Sequence, residues 1–449
     1  MSFTTDKQTL DDLDLLGKYK GSSILNLFDN TRTRGGAQVL SGMFQQPLQD
    51  AAAINARAAT FSWFQQLRAE FPVTKELCEE TEQYLGMASA NSLPGTAMKL
   101  VQKKLMKLIA SDQEFELIRT GMLSVQQLLQ KVNAFFISLN KQPEHSPWQP
   151  VIGEVIGLLN TEGFSRLMEQ ESGASMPLSS LIRYDHLLRV SCRSALQRIL
   201  EILYEADVYI AVSRLAASRN FTYAKALPFT EGANKIDIIK LAHPQVPGAV
   251  ANSVQLHHHQ NLVFLTGANM AGKSTFMKSV GVAVYLAHMG FPVAAERMEF
   301  SVLDGMYTSI NVSDNLDMGY SHFYAEVLRV KRVAEEVSLG KNLLIIFDEL
   351  FKGTNVKDAY DATVAVTEAF GENRNCSFIV STHIVEAGHT LQERCTNMQF
   401  LYFPTIMEGQ VPRYTYQLQQ GISADKHGMM IISNEHIIDI IRQKRAAIV

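Results

Sequence analysis

The hydrophobic period of this chain changes once, near residue 220, and that change restricts its fold more than any other feature. Up to about residue 218, apolar residues recur every three or four positions, as in LIRTGMLSVQQLLQKVNAFFISL (117–139). That spacing lays one face of a helix against a core. Glycine and proline gather at breaks: NSLPGT (91–96), NKQPEHSPWQP (140–150) and ESGASMP (171–177). The stretches 97–139 and 178–218 are about 40 residues each, on the order of 60 Å if unbroken, a length that suits levers or arms. From about residue 221 short apolar runs appear: KIDIIKLA (235–242), NLVFLTG (261–267), NLLIIFDE (342–349), SFIVSTH (377–383) and MQFLYF (398–403). Runs that are apolar throughout and alternate with helical segments predict a mostly parallel sheet covered on both faces. The expected fold is α plus α/β, with a helical domain over 1–218 and an α/β domain over 219–449. A short helix or helix pair over SNEHIIDIIRQKRAAIV ends the chain.

A length of 449 residues exceeds one ordinary core. The formal net charge of -4 excludes a strongly basic, histone-like class, while leaving room for a local basic stripe. Cys78, Cys192, Cys376 and Cys395 form no CxxC pair and read as reduced, buried thiols. The opening MSFTTDKQTLDDLDLLG is acidic and has no apolar h-region. No run approaches the roughly 18–20 apolar residues that cross a bilayer. The expectation is a cytoplasmic protein without a membrane partner.

The segment Gly267-Ala268-Asn269-Met270-Ala271-Gly272-Lys273-Ser274, followed by Thr275, fits GxxxxGK[ST] with an apolar strand before it and a helical pattern after it. Glycines let such a loop curl so that backbone N–H groups face phosphate oxygens, and the helix N-terminus adds its positive end. Lys273 would reach the β- and γ-phosphates of ATP, and the Ser274 hydroxyl would ligate Mg²⁺. The run LLIIFDE (343–349) ends in two carboxylates, which are costly at a buried strand end unless something positive sits there. Asp348 would hold the Mg²⁺ shell through water, and Glu349 would polarise the attacking water. A further run ends in STH, placing His383 at the same edge to sense the γ-phosphate. The plainer readings are a glycine-rich turn, strand-end solvation and a structural histidine. Of these, the first leaves Lys273 unexplained.

With these elements in place, the chain resembles the MutS family of DNA mismatch repair ATPases. The family's TGPNMGGKST appears as TGANMAGKST (266–275), its DEIGRGTS as DELFKGTN (348–355) and its ATH as STH (381–383). DNLDMGYSHFYAEV (314–327) resembles DDLxxGxSTFxxEM, and LAHPQV (241–246) matches the RHP strand. GISADKHGMMII (421–432) resembles the segment beyond the last strand. In the helical half, LNLFDNTRTRGGAQVLSGMFQQPLQDAAAINARAATFSWF (25–64) parallels the opening of the family's core domain.

The resemblance implies a core/lever domain over 1–218. It implies a P-loop, ABC-type ATPase domain with a C-terminal helical dimerisation segment over 219–449. It gives Lys273, Ser274, Asp348 and Glu349 the roles above, brings Asn269 to the terminal phosphate and makes His383 the switch histidine. It offers Ser321 to the partner's nucleotide across a homodimer that sandwiches ATP. Departures mark a divergent short form. The mismatch-reading wedge and connector domains have no counterpart, and 140–185 is too short for the β-rich clamp. The aromatic that commonly stacks on adenine falls on Ala249 or Val250, before Ala251-Asn252. Phe351 and Lys352 stand for Gly-Arg, while Ala268 and Ala271 stand for Pro and Gly.

Lys99, Lys103 and Lys107, with Lys104 adjacent, form a basic helical stripe, and Arg189, Arg193 and Arg198 a looser one. Lys99, Lys103, Lys107, Arg189 and Arg193 are the candidates for DNA phosphate contact, against the plain reading of a solvated face. HHH (257–259) has no flanking ligands and reads as a turn or edge. The leading functional reading is an ATP-driven, DNA-binding switch related to mismatch repair, whose partners are duplex DNA, a second copy and other repair proteins. One alternative is action on branched or recombining DNA. Another is a nucleotide-gated protein scaffold. A transport-type or SMC-like ATPase is disfavoured, since LSGGQ and a coiled-coil arm of hundreds of residues are both absent.

Overall fold

Helices with an apolar face build the first of two units, made of Phe28–Met43 and Ala59–Ala217. In this computed structural model the described residues are 3–17, 23–110, 113–142, 146–170, 176–310, 322–408, 411–423 and 436–446. Both long helical stretches are interrupted. The first becomes α1 (Leu93–Ala110) and α2 (Glu114–Asn140). Pro94 sits in the first turn of α1, where its missing N–H has no helical acceptor to lose. The second becomes Leu178–His186, a π-turn over Leu187–Ser191 and α3 (Arg193–Arg219). The π-turn closes with the Cys192 N–H donating to Leu187 O at 2.7 Å.

Aromatic packing fills the centre of this unit. Phe64 stacks on Tyr209 at 5.7 Å, and Trp148 meets both Phe64 and Tyr209 edge-on. Asp207 is buried there. It accepts hydrogen bonds from the Thr33 N–H and Thr33 hydroxyl, each at 2.8 Å, and from the Arg32 N–H. Burial raises its pKa, against those hydrogen bonds. The carboxylate thereby ties α3 to the segment that leads into the helix Arg34–Gln45.

The second unit comprises Met1–Leu27, Phe44–Ala58 and Ser218–Val449. Its main sheet contains β1 (Leu262–Gly267), β2 (Gly305–Ser309), β3 (Leu343–Asp348), β4 (Ser377–Ser381), β5 (Met398–Phe403) and β6 (Gln419–Gln420). The order is β6-β5-β1-β4-β3-β2, parallel except for the β5–β6 pair. Strands β1, β3 and β4 are buried almost throughout, which is why their sequences are so nearly apolar from end to end. Helices α4 (Lys273–His288), α5 (His322–Ser338) and α6 (Val356–Gly371) connect along the sheet. The run at 235–242 does form a strand, but in a second, mixed sheet with Lys225–Leu227, Asn252–His257 and Arg297–Ser301.

Two N-terminal segments belong to this unit although their periodicity reads as helical. Thr4 bridges Gly305, and the Leu48 N–H donates to His288 O at 2.8 Å. Asp12 accepts from the Thr308 hydroxyl and the Ile310 N–H, while Asp6 pairs with Arg329 of α5. His288 is fully buried. Its ring takes the neutral form, with Nδ1–H donating to Leu48 O and Nε2 accepting from the Leu303 N–H. Among the described residues no helix is long and apolar enough to cross a membrane.

Candidate functional site

Parallel register brings three strand ends to one edge. Ser381 of β4 lies beside Leu265 of β1 and Asp348 of β3. The loop after β1, the Asp348-Glu349 pair and His383 therefore open on the same side of the sheet.

The loop 267–274 is shaped by backbone conformations that most side chains resist. Gly267 has φ 139°, and a Cβ there would lie 3.1 Å from Phe403 O. Gly272 caps α4 with φ 108°. Lys273, at the first position of α4, is only 5% exposed. Its Nζ donates to Gly267 O at 2.7 Å and to Ala268 O at 3.1 Å. Burial pushes the ammonium pKa down, while Asp348 and Glu349 pull it back up. Ala268 and Ala271 line the turn, Asn269 and Met270 project from it, and Ser274 and Thr275 are exposed in the first turn of α4.

Ser274 Oγ donates to Asp348 Oδ2 at 2.6 Å, whereas Asp348 Oδ1 is buried without a hydrogen-bond partner among the described residues. A hydroxyl beside a carboxylate with one unanswered oxygen is a donor set that suits a hard divalent cation. Glu349 follows in the left-handed region, φ 55°, with its N–H donating to Ser381 O at 2.9 Å. Its Oε1 meets His383 Nε2 and its Oε2 meets Lys352 Nζ. The hydrogen bond from His383, then that from Lys352, hold the carboxyl pKa down to about 2 against the opposing effect of burial.

Beside this edge lies a cavity of about 510 Å³. Its lining includes Asn269, Lys273, Ser274 and Glu349 together with Ala249, Val250 and Tyr416. Residues 263–447 match the family model described as MutS domain V. The DNA mismatch repair protein MutS of Petrotoga mobilis is 27% identical over 317 residues, 67% of this chain and 38% of that protein. The protein of the same name from Lysinibacillus sphaericus is 24% identical over 72% of this chain and 39% of its own length. That from Thermus thermophilus reaches 34% identity over 207 residues, 45% of this chain and 24% of the relative. Over these stretches the chain is similar to MutS. It spans about two fifths of the length of the first two of these relatives.

Other residues singled out in this MutS-like sequence fall in different places. Ser321 lies outside the described residues. Lys99 and Arg193 are exposed. Lys103 pairs with Glu114, and Lys107 pairs with Glu116 at the start of α2. Arg189 is not on the surface stripe. It is 5% exposed, pairs with buried Asp185 and lies 5.1 Å over the Tyr84 ring. Its charge is held in the helical core and is withdrawn from any outer face. The histidines of HHH end the strand Asn252–His257 and form the turn after it.

Ala249 and Val250 stand where the family resemblance expects an aromatic. The structure supplies Tyr416, which approaches the loop closely enough that a Cβ on Gly272 would lie 3.2 Å from its ring. Asn252 fixes that segment, its Nδ2 donating to Tyr416 O at 2.9 Å and its Oδ1 accepting from the Leu418 N–H at 2.7 Å. Tyr416 is distant from the loop in sequence and lies in no helix or strand, so only the tertiary fold brings it here.

Proposed function

We propose that this chain binds ATP with Mg²⁺ and hydrolyses it as a P-loop ATPase of the MutS type. The observation that carries the reading is the convergence of Lys273, the Ser274–Asp348 hydrogen bond and the Glu349–His383 contact at one edge of three adjacent parallel strands. Backbone N–H groups of 268–274 and the start of α4 favour the negative charge of a triphosphate. Lys273 exchanges its loop carbonyls for phosphate oxygens. Ser274 and Asp348 hold the cation, which when bound supplies charge neutralisation at the phosphates. Glu349 orients and polarises the attacking water, and His383, bonded to it, links its position to the state of the site. Tyr416 provides the aromatic surface for the base.

The names of the relatives support a role connected with DNA mismatch repair, and the same reading places the chain in the cytoplasm. It makes the chain a homodimer in which Ser321 completes the partner's site, with closure coupled to the grip of the helical unit on duplex DNA. Lys99, Lys103, Lys107 and Arg193 are the candidate phosphate contacts, and other repair proteins are candidate partners. The decisive experiment measures ATP binding and turnover with and without duplex, mismatched and four-way-junction DNA, for wild type and Glu349→Ala. The variant is expected to bind ATP and turn it over at least ~100-fold more slowly. Turnover at the wild-type rate would remove Glu349 from its role.

A further inference from the structure

The turn that follows β3 carries a lysine whose ammonium meets the water-polarising carboxylate. Glu349 and Phe351 both adopt left-handed backbone, with φ 55° and 62°. Two such residues within three tighten the chain so that the side chain at 352 returns over Glu349. The turn itself is anchored. Phe351 is 4% exposed, its ring meets Phe323 at 6.2 Å, and its N–H donates to the buried Glu326 carboxylate. Gly353 lets α5 come close, since a Cβ there would sit 2.9 Å from the Phe323 nitrogen. Lys352 reaches out of this anchored turn, with its side chain 67% exposed. Its Nζ meets Glu349 Oε2 while His383 Nε2 meets Oε1, so both oxygens of the carboxylate already face a donor.

We propose that Lys352 is a positioning residue that holds Glu349 in a parked orientation and must release it before water can be polarised. The inference rests on the reading of Glu349 given under the proposed function. A carboxylate that acts on water has to offer an oxygen to that water in the right direction. Oε2 is turned toward Lys352, three residues on in the same turn, and away from that task. Lys273 and Ser274 likewise turn their donors to loop carbonyls and to Asp348. The latch is weak enough to open, because exposed lysine–carboxylate pairs shift an equilibrium by no more than roughly five-fold. His383 has an equivalent grip on the other oxygen, but from a different strand end, so the two contacts can be separated by substitution.

The test compares Lys352→Met and Lys352→Arg with wild type in the full chain. Three quantities are measured: single-turnover hydrolysis of bound ATP, affinity for a non-hydrolysable ATP analogue and for ADP, and backbone hydrogen exchange over 349–353 without nucleotide. Lys352→Met is expected to hydrolyse bound ATP about two- to five-fold faster, with analogue affinity within about two-fold of wild type and faster exchange in the turn. Lys352→Arg should behave as wild type. A loss of analogue affinity of about ten-fold with ADP unaffected would instead make Lys352 a ligand of the terminal phosphate. Slower hydrolysis at unchanged affinity would make it part of the reacting machinery, and no change in hydrolysis or exchange would also overturn the latch. Wild-type turnover by Glu349→Ala fails the underlying reading, an outcome independent of all of these.

Discussion

Ser274 Oγ and Asp348 Oδ2 stand 2.6 Å apart, joined by a hydrogen bond between the first turn of α4 and the end of β3. In the proposed function this pair holds the divalent cation. Asp348→Asn keeps the shape and the hydrogen bond but removes the charge that the cation needs. It is expected to raise the Mg²⁺ concentration required for half-maximal ATP binding at least ~10-fold, as read by titrating Mg²⁺ against a fluorescent ATP analogue. An unchanged Mg²⁺ requirement would exclude Asp348 from the cation site.

Tyr416, whose ring lies close to Gly272, is the aromatic that the proposed function gives to the base. Replacing it with alanine should weaken the ATP analogue by about two- to twelve-fold, the range of an aromatic contact worth about 0.5–1.5 kcal/mol. Tyr416→Phe should bind like wild type. Equal losses in both variants would assign the effect to the hydroxyl rather than the ring.

His288 provides a stability signature in the acid range. Burial pushes its pKa down from 6.5 to about 4, partly offset by the hydrogen bond to Leu48 O. Its folded-state pKa is depressed, so the unfolded chain binds the extra proton first. Its share of stability is complete above the ordinary histidine value of 6.5 and is lost progressively as the pH falls to about 4. Denaturant midpoints measured across that window should fall with acidification. The slope should flatten in His288→Gln, and an identical slope in both proteins would refute the assignment.

Arg189 and Lys99 should separate stability from DNA contact. Arg189→Ala leaves buried Asp185 without its cation and should cost about 3–5 kcal/mol in urea unfolding. Lys99→Ala should change stability by no more than about 0.5 kcal/mol. If Lys99 touches a DNA phosphate, its removal should lower the slope of log affinity against log salt by about 0.9. An unaltered slope would remove Lys99 from the interface.

The apolar strands β1, β3 and β4 were legible because burial on both faces leaves no alternation to disguise them. The loop 267–274 and the carboxylates at the end of β3 were legible because their residue types are costly without a partner. Other features were not. The strand Gly305–Ser309 carries two polar residues, Thr308 and Ser309, and does not stand out as an apolar run, although it is buried throughout. Tyr416 and Lys352 acquire meaning only from left-handed turns that no period announces. Arg189 reads as one member of a surface stripe, but its ion pair with buried Asp185 holds it in the core.

Strand β2 ends the sheet, and Thr4 lies along it, taking the Met306 N–H at 2.9 Å and donating its own N–H to Asp304 O at 2.8 Å. A sheet margin with unanswered N–H and C=O groups is a template for strands of other molecules. Residues 3–12 cap part of that margin, so fusions or trims that pull them away should expose it. The resulting fault would show first as chain-to-chain association on concentration, before any change in the proposed ATP turnover.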